Sequence, residues 1–179
     1  MKHVQLEHDQ IIHDNVKHPI TVVLDNVELG VNVGSIFRIC DGMGAEQLYL
    51  CGRTPSPDDK NVRKSSRSTE KSVIYLQKDN TLEAIQELKK QNYKIVALEL
   101  TSNSVSIENY SFFENNAKVA IIVGNEKHGI SSDVLDNVDA AVHINMYGQN
   151  TSLNVSTALS IALYEALIQS KKEVNVNVR

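Results

Sequence analysis

HINMYGQNTSLNVSTALSIAL, residues 143–163, carries three kinds of sequence in one run. Val142 to Met146 is short and apolar, and Tyr147 to Thr151 is polar and turn-like, with Gly148 and Asn150 as candidates for positive φ. From Ser152 onward Val155, Leu159, Ala162, Leu163 and Ala166 recur at helical spacing. The spacing therefore predicts a strand end, a loop and a helix. Ser152, Asn154 and Ser156 put three short hydrogen-bonding side chains into the first turns of that apolar helix. Such residues either cap the helix or point at a ligand.

Upstream, apolar runs alternate with helical patterns. ITVVLD (20–25), QLYLC (47–51), SVIYLQ (72–77), KIVALEL (94–100) and KVAIIVG (118–124) read as strands. Helices are expected from about Val33 to Gly42 with Asn32 as cap, over NTLEAIQELKKQN (80–92) with Asn80 or Thr81 as cap, and from Ser131 to Asn137. TPSPDDKNVRKSSRSTEK (54–71) reads as a loop, and TSNSVSIENYSF (101–112) as a connection. Several strands are apolar throughout, which argues a mainly parallel α/β sheet covered by helices on both faces. No repeat or long linker divides the 179 residues, so one domain is expected, with 1–18 a polar lead-in and 171–179 a short tail.

Ligands of such sheets bind beyond the carboxyl ends of strands. Three turns qualify. ELGVNVGSIFR (28–38) has Gly30 and Gly34 but Asn32 between them, so the glycine that lets a pyrophosphate approach the backbone is missing and a dinucleotide oxidoreductase is disfavoured. Gly34 lies one turn before Arg38, which could fold back over the open surface left by the glycine. Arg38, set among Ile36, Phe37, Ile39 and Cys40, needs an anion or a salt bridge to Asp41 or Glu46. GNEKHGIS (124–131) lacks the lysine of a phosphate-binding loop, which leaves Glu126 as a carboxylate at the sheet edge. That carboxylate could cap the helix at Ser131 or neutralise Lys127. In the third turn, Ile144, Met146 and Leu153 with free backbone groups suit a flat heteroaromatic ring.

Composition sets outer bounds. Hydrophobic residues make up 41% and charged residues 22%, as in ordinary globular proteins, and no run approaches the length of a membrane span. The first residues lack a signal-peptide core, so the cytoplasm is expected. A net charge of −4 means that a nucleic-acid partner must meet a local basic patch, for which Lys60, Arg63, Lys64, Arg67 and Lys71 are placed together. Cys40 and Cys51 read as buried thiols, and the histidines at 3, 8, 13 and 18 as solvated surface rather than a metal site.

Together NVGSIFR (32–38), VGNEKHGIS (123–131) and INMYGQNTSLNVSTA (144–158) resemble the motifs of SpoU/TrmH-type members of the SPOUT class of RNA methyltransferases, in the family's order. The resemblance spans residues 20 to about 168. It implies a C-terminal trefoil knot, S-adenosylmethionine as cofactor, a homodimer without metal, and methylation of a ribose 2′-hydroxyl. Cofactor contacts would fall on Gly124, Ile144, Met146 and Leu153, with Leu98 and Leu100 beside them. Asn32, Arg38, Glu126, Ser152 and Asn154 would line the reaction site, Arg38 as a phosphate clamp rather than a base, because arginine stays protonated. RNA affinity would come from Arg63, Lys64 and Arg67. The chain departs from the family at Asn145, where proline is usual, and at Lys127, where arginine is frequent. The absence of an added RNA-binding domain favours tRNA over rRNA as the substrate. The alternative from another class is a non-catalytic RNA-binding relative.

Overall fold

The computed structural model describes residues 4–6, 10, 15–113 and 118–176, with side chains as far as 170. Its strands are β1 (His18–Asp25), β2 (Ala45–Cys51), β3 (Tyr75–Lys78), β4 (Tyr93–Leu98), β5 (Val105–Ser106), β6 (Lys118–Gly124) and β7 (Ala140–His143). They form one sheet in the order β3-β2-β1-β6-β4-β7-β5, with every pairing parallel. The helices are α1 (Gly30–Gly42), α2 (Lys60–Ser66), α3 (Thr81–Lys90), α4 (Ser132–Leu135) and α5 (Val155–Val176).

Alternation along the strands sorts the core into two layers. Val22 and Leu24 of β1 pack with Val33, Ile36, Phe37 and Cys40 of α1 and Leu159, Ala162, Leu163 and Ala166 of α5. Val23 points the other way, to Ala84, Ile85 and Leu88 of α3 and Val134 of α4. Both cysteines are buried, and burial pushes each thiol up to about 12, which makes them poor nucleophiles. No helix among the described residues is long and apolar enough to cross a membrane. Within the described residues no group of three or more His, Cys, Asp or Glu is placed to hold a metal ion.

Several expected boundaries move. The stretch 54–71 is not a plain loop, since it holds α2 and a 3₁₀ turn at Thr69–Lys71. Asp59 caps α2 by accepting from the N–H groups of Asn61 and Val62 at 2.7 and 3.2 Å. Only Val62 and Ser66 of α2 are buried, a stripe too short to show as periodicity. The surface beside Gly34 is not open to Arg38 either. A β-carbon at Gly34 would overlap Ser65 Oγ and the Val62 carbonyl, so the glycine is what lets α2 lie against α1. Helix α1 begins at Gly30, three residues earlier than its apolar spacing suggests, and Asn32 lies inside it rather than capping it. Neither Gly148 nor Asn150 has positive φ. Helix α5 begins at Val155 and continues through Val176, so most of the supposed tail is helical. The connection after β4 contains β5, two residues long, and a 3₁₀ turn at Ile107–Asn109. His3, His8, His13 and most of the lead-in lie outside the described residues, whereas His18 opens β1.

Candidate active site

The carboxyl ends of β4, β6 and β7 open onto a cavity of about 770 Å³, within the range of small-molecule sites. Its walls come from the segments that follow these strands and from the start of α1. Gly124, Leu98, Leu100, Ile144, Met146 and Leu153 all line it. So do Asn32, Glu126, Ser152 and Asn154. The apolar members remain open to solvent, with Met146 at 36%, Leu153 at 38% and Leu100 at 65% exposure, an apolar wall available to a ligand.

The polar members are bonded in series. Glu126 Oε1 accepts from Asn32 Nδ2 at 2.8 Å and from the Leu29 N–H at 3.1 Å, and Oε2 accepts from the Glu28 N–H at 3.1 Å. Asn32 Oδ1 accepts from Asn154 Nδ2 at 3.0 Å. Asn154 Oδ1 in turn accepts from the Ser156 N–H at 2.9 Å and its hydroxyl at 2.7 Å. In the Ser152–Ser156 cluster the Asn154 amide therefore caps α5 with its oxygen and reaches Asn32 on the cavity wall with its nitrogen. Glu126 does not cap the helix at Ser131. It takes the free N–H groups at the start of α1, where a negative charge also meets the positive end of the helix. The Ser131 N–H is held instead by the buried Asp25, at 3.0 Å.

Burial is the largest influence on the Glu126 carboxyl and works against its ionisation. The bonds from Asn32 and from the backbone N–H groups of Glu28 and Leu29 outweigh it and hold the carboxyl below its ordinary value.

The SpoU rRNA Methylase family pattern matches residues 19–164. The chain belongs to this family. A tRNA (guanosine(18)-2′-O)-methyltransferase of Aquifex aeolicus is 32% identical over 154 residues, covering 86% of this chain and 71% of that protein. The crystal structure of an A. aeolicus TrmH/SpoU tRNA modifying enzyme superposes with a TM-score of 0.76 at 31% identity, over 87% of this chain and 77% of that one. An AdoMet-bound rRNA methyltransferase from Sinorhizobium meliloti gives 0.78 at 26% identity, over 87% of this chain. This SpoU-family chain spans only 57% of the rhizobial one.

Arg38 stands apart from the cavity. It lies six residues past Asn32, about 9 Å along the helix axis and roughly 120° around it. Its expected salt bridges do not form. Asp41 accepts from Ser72 Oγ at 2.8 Å, and Glu46 accepts from Tyr93 Oη at 2.7 Å and faces Lys118 Nζ at 3.9 Å. The side chain is solvent-exposed, as are Arg63, Lys64 and Arg67 around α2.

Among the cavity residues not expected from the sequence are Glu99, directly after β4, and His143, at the end of β7. The signal for Glu99 was available, since it follows an apolar strand much as Glu126 follows β6. His143 Nδ1 lies 2.9 Å from Ser104 Oγ, a contact between segments that sequence spacing does not show. Asn145 donates to Ser106 Oγ at 2.9 Å, so a side-chain bond holds the start of the segment after β7.

The Glu126 anchor has a defined pH dependence. The carboxyl titrates lower in the folded state than in the unfolded one, so its contribution is complete above the unfolded value and is lost as pH falls through the folded value. Glu126→Gln should lower stability by about 2 kcal/mol at neutral pH. Denaturant melts of the two proteins should converge as the medium is acidified, and a pH-independent gap would contradict the anchor.

Proposed function

We propose that this chain is an S-adenosylmethionine-dependent RNA methyltransferase that modifies a ribose 2′-hydroxyl, with tRNA as the substrate class. The observation that carries the reading is the Glu126–Asn32–Asn154 series of bonds, set into the same cavity as the apolar wall of Ile144, Met146 and Leu153. The A. aeolicus relative, a tRNA 2′-O-methyltransferase, supports the substrate class, and the AdoMet-bound rhizobial structure supports the cofactor. An rRNA substrate is the alternative within the same chemistry.

The cavity residues fit the proposed cofactor. Ile144, Met146 and Leu153 offer a surface for a flat base, with Gly124 exposing backbone and Leu98 and Leu100 closing the wall. When bound, S-adenosylmethionine would supply a methyl carbon on a sulfonium that leaves as a neutral thioether, a departure that calls for no acid. What remains for the protein is alignment of the acceptor oxygen and removal of its proton. Asn32 is held by Glu126 and Asn154 in a fixed amide orientation, and with Ser152 it can position the ribose. Arg38 carries a permanent charge, suited to clamping the adjacent phosphate and stabilising a developing alkoxide.

The position of Arg38 argues that a second copy supplies it. Arg38 and Val31 are seven residues apart and share one face of α1, where Val31 is 57% exposed. On neighbouring α5, Ile161 and Tyr164 are 40% and 56% exposed. A homodimer covering these apolar residues would carry Arg38 against its partner. We extend the proposal to a single cytoplasmic domain whose C-terminal segment is knotted. Family membership supports the knot, as does the position of β7 between β4 and β5 before α5 returns to the face of α1.

Arg38→Ala should abolish methylation and leave S-adenosylmethionine affinity near normal. Mixing Arg38→Ala with Asn32→Ala copies should restore roughly a quarter of wild-type turnover, since half the dimers are mixed and each has one complete site. No recovery on mixing would place Arg38 in the same chain's site and overturn the shared arrangement.

The basic residues around α2 should set RNA affinity. Replacing Arg63, Lys64 and Arg67 with alanine should flatten the salt dependence of RNA binding by about 0.7 log units per lost phosphate contact. An unchanged slope would remove α2 from the RNA interface.

A further inference from the structure

Of the two carboxylates in the cavity, Glu126 takes three donors from its own chain and Glu99 only two. The Glu99 backbone is pinned to β7 by its N–H, which donates to the Val142 carbonyl at 2.9 Å. Its Oε1 accepts from the Leu100 N–H at 3.0 Å and its Oε2 from the Ile130 N–H at 3.1 Å. The segment bearing Ile130 is shaped around this carboxylate. Gly129 has a φ of +65°, and a β-carbon there would sit 2.5 Å from Glu99 Oε2. The carboxylate is thus set by two separate backbone segments, half-buried on the cavity wall.

A carboxylate has about four acceptor positions, and these bonds use two of them, one on each oxygen. One position per oxygen is left, and among the described residues no cation pairs with Glu99. An RNA phosphate would be repelled at this point. Two parallel O–H donors would be bound, and a vicinal diol offers that pair. Carboxylates beyond the carboxyl ends of parallel strands take ribose hydroxyls in nucleotide-binding sheets for the same reason.

We propose that Glu99 is the residue that recognises the ribose diol of the methyl donor. The proposal rests on the methyltransferase reading and adds a specificity determinant to it. The two free acceptor positions take the 2′- and 3′-hydroxyls of the adenosine, and the base lies toward Ile144, Met146 and Leu153. The two backbone bonds make the carboxylate rigid before the ligand arrives, so little ordering entropy is lost on binding.

Calorimetry with S-adenosylhomocysteine and its 2′,3′-dideoxyribose analogue tests this without any RNA. The wild-type protein should bind the diol form more tightly by on the order of a hundredfold or more, the scale of two hydrogen bonds to a charged acceptor. In Glu99→Ala that ratio should fall toward one, chiefly through weaker binding of the diol form. Glu99→Gln, which keeps a carbonyl acceptor and most of the side-chain volume, should fall between them. An equal loss of affinity for both ligands would mean that Glu99 only holds the Ile130 segment, and would overturn the proposal. An unchanged ratio in Glu99→Ala would overturn it too, while leaving the methyltransferase reading intact. A wild-type protein that binds neither ligand would overturn both.

Discussion

The acceptance by Glu126 of three donors from one short stretch, Glu28 to Asn32, is the constraint on which the site depends. These residues are nearly a hundred positions apart in sequence and follow neighbouring strands, since β1 and β6 pair with Asp25 opposite Gly124. Parallel pairing brings the two post-strand segments together, and the carboxylate locks them. Asn32 then passes the constraint on to Asn154 at the start of α5. Each amide is committed at both ends, so neither can flip without losing a bond. The result is a polar wall whose donor and acceptor directions are set by the fold before a substrate arrives.

Most of the sheet was legible because β1, β2, β4 and β6 are largely buried and apolar. KVAIIVG forms β6 over the same residues that the pattern marks. The elements that escaped carry too little periodic information. Helix α2 buries two residues and owes its start to Asp59, a cap that can be read only once a helix is suspected. The early start of α1 is a tertiary effect, because the N–H groups of Glu28 and Leu29 are satisfied by a carboxylate from another segment. Strand β5, with two residues, exists only by pairing with β7.

The site divides in the same way. Each motif names residues that one turn brings together, and Asn32, Glu126, Ser152 and Asn154 do share one cavity. The family resemblance groups Arg38 with them, and helix geometry carries it onto another face of α1. Glu99 follows an apolar strand as Glu126 does, but the Ile130 N–H that fixes its second oxygen reaches it only through the fold. The two carboxylates then differ in one physical respect. Glu126 takes three donors from its own protein and organises the wall, whereas Glu99 is half-satisfied and able to take donors from a ligand.

The central claim is that this cavity directs a methyl group to a ribose oxygen. The most direct measurement incubates the purified protein with tRNA from cells lacking it and S-adenosylmethionine carrying a labelled methyl group. The RNA is then digested to nucleosides and the labelled product is separated. The account predicts label in a 2′-O-methylnucleoside at one position. Label on a base instead, or in no RNA of either the tRNA or the rRNA class, would contradict it.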